Sequence, residues 1–157
     1  MIGIKIFQFN LIGEVSFFSD VCTSFIQVCE ETKLTIYMKK IYHLANCSTC
    51  QRILKDLKPG KDFILQDIKT EKITSEQLEE MKKIAGSYES LFSRVALKFR
   101  SMGLNEMNLT EKDYRKYILE EYTFLRRPVV IIENEIFIGN AKSVTEAAKK
   151  SMQKKKP

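Results

Sequence analysis

From residue 39 onward the apolar positions fall into short segments whose period switches between two and about 3.6, and each switch marks an element. "KIYHL" within residues 39–44 reads as a strand. Residues 47–57 follow as a helix, because Cys50, Ile53, Leu54 and Leu57 repeat along one stripe. Pro59 and Gly60 end that helix, and "DFILQDI" over 62–68 reads as a second strand. Thr74 with Gln77 three residues later is a capping box that opens a helix running to Gly86, with Leu78, Met81, Ile84 and Ala85 as its apolar face. A further helix is predicted over 89–102, with Leu91, Phe92, Val95, Phe99 and Met102 inward. Another, over 110–121, is capped by Thr110 with Tyr114, Tyr117 and Ile118 inward. "PVVIIENEIFIGN" has the alternation of a β-hairpin turning at Glu133 and Asn134, and Ser143 with Glu146 predicts the start of a last helix. The order is β-α-β-α-α-α-β-β-α, an α/β chain in which a βαβ unit and a ββα unit flank a helical insert.

Residues 1–37 lack this order. They hold scattered aromatics with no clean period, and they make a poor secretory leader because Glu14 and Asp20 interrupt the apolar stretch. "MKKIYHL" then begins like an ordinary start followed by a strand. The expected organisation is therefore an N-terminal stretch at 1–37, read as translated upstream sequence with Met38 as the expected true first residue, or else as a genuine extension that packs on the domain or mediates assembly. That domain spans 38–150, and a basic tail follows at 151–157.

With 157 residues and 44% hydrophobic content the chain can bury one core. The net charge of +6 is unevenly placed. Residues 1–37 carry a net −2, which leaves +8 for the remainder, and five of those positive charges are Lys149, Lys150, Lys154, Lys155 and Lys156. A basic end of this kind is an ordinary solvated terminus, so the charge is weak evidence for a polyanion partner and no nucleic-acid partner is expected. The absence of an apolar run of eighteen residues argues against a membrane span. Four cysteines without a framework spacing point to a cytoplasmic protein in which paired thiols are reactive rather than structural.

The chemistry concentrates at "NCSTCQ". A strand that runs into a loop and then a helix beginning at cysteine sets the sulfur against unpaired amides and the positive end of the helix. There a thiol pKa falls from ~8.5 toward ~3.5–7.5. Cys47 has that position, and Cys50, one turn later on the same face, can attack a mixed disulfide formed on Cys47. Two blander readings stand beside this one. Cys50 also belongs to the apolar stripe and would serve as a small buried hydrophobe. Zinc would need ligands beyond this pair, but His43 is the only histidine and falls in a strand, while Cys22 and Cys29 lie in the extension. No metal and no tightly bound cofactor is expected. Downstream, "FLRRPVV" puts Pro128 immediately before an apolar strand, as a strand-opening proline in either the trans or the cis form.

"IYHLANCSTCQRILKDL", "LFSRVALKFRSMGL", "TEKDYRKYILEEYTFLRRPVVI" and "FIGN", in this order and spacing, resemble the glutaredoxin-linked arsenate reductase (ArsC) family, which includes the Spx-type redox regulators. The resemblance covers about residues 39–149. It implies a thioredoxin-like mixed sheet with a helical insert, and an oxidoreductase that uses glutathione and glutaredoxin. It implies further that Cys47 is the nucleophile and that Arg94 and Arg127 hold the oxyanion by paired hydrogen bonds. By the same resemblance Pro128 is cis, and the loop residues Asn46, Ser48 and Thr49 lie against the substrate. Two features depart from the reductases. The position after the final hairpin, where they carry a further arginine, reads "FIGNA", and the CxxC is closer to the Spx type. Spx-type proteins use the cysteine pair as a disulfide switch and bind the α subunit of RNA polymerase, so the resemblance also implies that alternative, as well as a general thiol–disulfide oxidoreductase.

Overall fold

The computed structural model describes residues 39–154. The extension at 1–37, with Cys22 and Cys29, and the expected start at Met38 lie outside the described residues.

Four strands form one mixed sheet in the order β2-β1-β3-β4. β1 (Lys39–His43) pairs in parallel with β2 (Ile64–Asp67), and α1 (Ser48–Leu57) makes the crossover between them. On its other side β1 pairs antiparallel with β3 (Val129–Ile132), which returns antiparallel through Glu133 and Asn134 to β4 (Glu135–Ile138). Between β2 and β3 lie α2 (Ser75–Ala85), α3 (Tyr88–Leu91), α4 (Leu97–Ser101) and α5 (Glu111–Glu120). The chain closes with α6 (Lys142–Lys154). This is the expected thioredoxin-like arrangement with its helical insert.

Strand alternation sends successive side chains to opposite faces of the sheet, and here it divides the core in two. Tyr42, Val129 and Ile131 face the insert, where Leu78, Met81, Leu91, Phe92, Tyr114 and Ile118 complete a buried cluster. Ile41, Val130 and Ile132 face the other way and meet Ile53 and Leu57 of α1 and Ala148 of α6. The register agrees with this split, since Ile41 stands opposite Val130 across the β1–β3 pair. The α2 capping box closes as the sequence predicts. The Gln77 N–H donates to Thr74 Oγ1, and the Thr74 N–H donates to Gln77 Oε1. At α5 the Asp113 carboxylate accepts both the N–H and the hydroxyl of Thr110.

The predicted helix over 89–102 is not continuous. It stops at Leu91, and the chain becomes extended so that Phe92 bridges Leu125. The Ser93 N–H donates to the Phe124 carbonyl at 2.7 Å and the Arg126 N–H donates to the Leu91 carbonyl at 2.7 Å. Phe92 is thereby set against Phe124, Tyr114 and Phe99, with centroids 5.1, 5.0 and 5.8 Å away. The helical pattern was produced by residues on two short helices with an extended link between them. Val95, expected inward, is 91% exposed, and Met102 is half exposed.

The last helix also differs from expectation at both ends. It starts at Lys142, one residue before Ser143, and the Thr145 hydroxyl returns to the Ala141 carbonyl in the first turn. At the other end it runs through the expected tail boundary to Lys154. Buried Ser151 donates its hydroxyl hydrogen to the Glu135 carboxylate and ties the helix to β4.

Candidate active site

The end of β1, the start of α1 and the peptide preceding β3 build the site. Four hydrogen bonds shape the cysteine loop. The Cys47 N–H donates back to the Leu44 carbonyl (3.1 Å) and the Gln51 N–H donates to the Cys47 carbonyl (3.0 Å), which opens the helix. The Gln51 side-chain amide donates to the Ala45 carbonyl at 2.6 Å, and the Ala45 N–H donates to the Asp67 carboxylate at 3.3 Å. Asp67 is the last residue of β2 and lies beside His43 in the parallel register, so the sheet itself anchors the loop. Sequence reasoning gave Gln51 and Asp67 no role. Their only visible signal was position: one follows the CxxC, and the other ends the second strand.

Cys47 is the N-cap residue of α1, with extended backbone angles, and is partly exposed. Its side chain closes no cap hydrogen bond, so the unpaired amides act on the sulfur as aligned dipoles. The Cys50 N–H has the largest effect in holding the Cys47 thiol below the ordinary range. The Cys50 thiol, the Thr49 N–H and the Arg127 guanidinium add to it, against a smaller upward push from partial burial. Cys50 is buried, and that burial pushes its thiol up; the Leu44 N–H and Arg127 pull the other way without reversing it. The two cysteines thus differ as an attacking and a resolving thiol need to differ. One is accessible and biased toward thiolate, while the other is protonated and in contact with it. The core-packing reading of Cys50 also has support, because it faces inward on the apolar stripe at 1% exposure.

The arginines expected at the site have separate settings. Arg127 is half-buried and acts on both thiols. The peptide bond between it and buried Pro128 is cis. Arg94 is engaged elsewhere: its guanidinium donates to Glu89 Oε1 at 2.6 Å and to the Tyr114 hydroxyl at 2.9 Å, and 58% of its side chain is exposed. Asn46 and Ser48 are exposed beside Cys47, and Thr49 is half-buried. Beyond the hairpin, Gly139 (φ 95°) donates its N–H to the Pro128 carbonyl at 2.9 Å, which brings "FIGN" beside the cis peptide without an arginine side chain of its own. His43 ends β1 with its Nδ1 buried and unpaired, and no group of three metal-ligating side chains gathers among the described residues.

The sequence model of the ArsC family matches residues 42–148. That span contains the whole sheet apart from the first residues of β1, the insert, and Cys47 and Cys50. The chain belongs to the ArsC family. Among curated proteins, this ArsC-family chain is 25% identical to the global transcriptional regulator Spx 2 of Bacillus anthracis over 105 residues, 65% of the chain and 79% of that protein. Among solved structures, an arsenate reductase (ArsC) related protein from Brucella melitensis superposes with a TM-score of 0.54 at 23% identity, covering 70% of this chain and 92% of its own. An arsenate reductase from Vibrio cholerae superposes equally, with a TM-score of 0.54 at 17% identity over 71% and 96% of the two chains. At these identities the likeness shows the fold. No helix among the described residues is long and apolar enough to cross a membrane.

Proposed function

We propose that this ArsC-family protein is a cytoplasmic thiol-dependent oxidoreductase in which Cys47 attacks and Cys50 resolves. The Cys47 thiolate attacks one sulfur of a substrate disulfide, forms a mixed disulfide and expels the second sulfur as a thiolate. The Cys50 thiol gives up its proton and attacks the Cys47 sulfur. The bound half of the substrate then leaves as its thiol, with a disulfide between Cys47 and Cys50 behind it. Two glutathione thiols, delivered directly or through glutaredoxin, reduce that disulfide to the two cysteine thiols and leave as one glutathione disulfide. Arg127 stabilises the thiolate and holds any negative charge carried by the substrate next to it.

The observation that carries this reading is the setting of two adjacent thiols: Cys47 is partly exposed at the helix N-cap, which biases it down, and Cys50 is buried one turn later, which biases it up. Arsenate is a second substrate for the same nucleophile. Sulfur would replace one oxygen on arsenic, and glutathione with glutaredoxin would supply the reducing thiols. That route calls on Arg94 to leave Glu89 and Tyr114 and close on the oxyanion with Arg127, and the missing third arginine weighs against rapid turnover. The identity to an Spx regulator favours a further reading, in which the same disulfide switches binding to the RNA polymerase α subunit.

The test is NADPH oxidation coupled through glutathione reductase, glutathione and glutaredoxin, with a model disulfide or arsenate as substrate. Turnover lost in both Cys47→Ser and Cys50→Ser supports the dithiol mechanism. Arsenate turnover lost in Cys47→Ser and kept in Cys50→Ser assigns a single-cysteine reductase and overturns it.

A further inference from the structure

On the sheet face opposite the insert, α1 and α6 run side by side, and a surface groove follows the line between them. Its first part, about 440 Å³, lies between Arg52 and Asp56 on α1 and Lys142 and Lys149 on α6. Its second part, about 780 Å³, continues past Leu57 and Phe63 to Met152, and Asp56 and Lys149 border both parts. Low-numbered residues of α1 meet low-numbered residues of α6 in the first part, and high meet high in the second, so the helices are parallel and the groove is one track. Nothing in the Cys47 chemistry uses it.

Charged side chains rim both parts, and the second has an apolar floor of half-buried Phe63 and Met152 beside the buried edge of Leu57. Charge on the rim is unbalanced. Lys39 is neutralised by Asp62 at 2.6 Å, and Lys142 faces Glu146 at 3.9 Å. Arg52, Lys58 and Lys149 have no ion-pair partner among the described residues, and Asp56 is the one unpaired carboxylate facing them. A compact anion would use the cations and leave the apolar floor empty. A purely apolar ligand would leave the cations unused. On α6 the lining runs from Lys142 to Gln153, which makes the track about 17 Å long, and an extended chain spans that with about five residues.

We propose that this groove binds an acidic, leucine- or phenylalanine-bearing segment of a partner protein, laid along α1 and α6. Its apolar side chains sit over Leu57, Phe63 and Met152, and its carboxylates face Arg52 and Lys149. Charge complementarity at the rim steers the encounter, and the apolar floor holds the complex. The site is separate from Cys47 and stands whether or not the dithiol mechanism holds.

The experiment is fluorescence anisotropy of the full chain with three labelled synthetic peptides of about eight residues. One alternates leucine with glutamate, one alternates leucine with lysine, and one is polyglutamate. The leucine–glutamate peptide is expected to bind, weakening with salt. The double variant R52E/K149E is expected to lose at least about tenfold in affinity. K55E/K150E makes the same charge change at exposed positions outside the lining and is expected to bind as wild type, as is Cys47→Ser. Equal binding by R52E/K149E and wild type, or equal binding of polyglutamate and the leucine–glutamate peptide, overturns the proposal. A preference for the leucine–lysine peptide also overturns it. Methyl NMR shifts of Leu57 and Met152 on peptide addition give a readout independent of affinity, and their absence counts against the site.

Discussion

The break in the insert can be tested by two substitutions four residues or fewer apart that the periodic pattern treats alike. The apolar spacing puts Phe92 and Val95 on the same inward stripe. In the structure Phe92 is 1% exposed and packs against three aromatic rings, whereas Val95 is 91% exposed. Phe92→Ala removes a fully buried ring and leaves a cavity, which costs about 3–5 kcal/mol. The stacked contact with Phe124 adds to this at the upper end of the range, since its 14° interplanar angle and 5.1 Å spacing give it favourable geometry. Val95→Asp places a carboxylate in water and should change stability by less than about 0.5 kcal/mol. On a continuous helix the same carboxylate would enter the core at a cost of several kcal/mol. Urea denaturation of both variants, followed by far-ultraviolet circular dichroism with the slopes held comparable, reads the difference. A Val95→Asp loss above about 2 kcal/mol, or a Phe92→Ala loss below about 1 kcal/mol, refutes the extended link at Phe92 and the reasoning built on it.

Three further outcomes follow from the site and its frame. Arg127→Met should raise the Cys47 thiol pKa, moving the pH–rate profile of alkylation to higher pH, while Arg127→Lys should restore much of the charge effect but bind a planar oxyanion less well. Because the Cys47 thiol is depressed in the folded state, it contributes stability above the unfolded thiol's pKa, and that contribution is lost as pH falls through the folded value. Denaturation midpoints of wild type and Cys47→Ser should therefore diverge toward alkaline pH and converge in acid. Thr74→Ala removes the capping box at α2 and should cost about 1 kcal/mol by urea titration, with no change in thiol reactivity.

Much of this architecture was legible in the chain. The two strand segments before the insert, the α2 capping box and the hairpin turning at Glu133 and Asn134 each rest on a local signal, either alternation, a capping pair or a turn, and local signals survive folding. The stripe of Cys50, Ile53, Leu54 and Leu57 put Cys47 at a helix start, and the resemblance to the ArsC family anticipated the cis Pro128. What was missed depends on distant partners. Phe92 leaves the helix because Leu91, Phe92 and Ser93 pair with residues 124–126, far downstream in the chain, and no period reports that. Arg94 is claimed by Glu89 and Tyr114, a choice settled by how α3 and α5 pack. Gln51 and Asp67 fasten the cysteine loop through one backbone carbonyl and one backbone N–H, contacts that leave no mark on hydrophobic spacing. The last helix continued past residue 150 because Ser151 found Glu135 across the sheet edge, so a basic, polar tail sequence was in part a packed helix.

The central claim is that Cys47 is a thiolate-biased nucleophile backed by a protonated Cys50. It is tested most directly by site-resolved alkylation with iodoacetamide across a pH series, read by mass spectrometry on the full chain. The account predicts that Cys47 is modified rapidly at pH 6 while Cys50 lags, and that the Cys47 profile shifts upward when Cys50 is replaced by alanine, which removes its thiol as a hydrogen-bond donor. Equal, slow modification of both cysteines until the pH reaches the ordinary thiol range would contradict it.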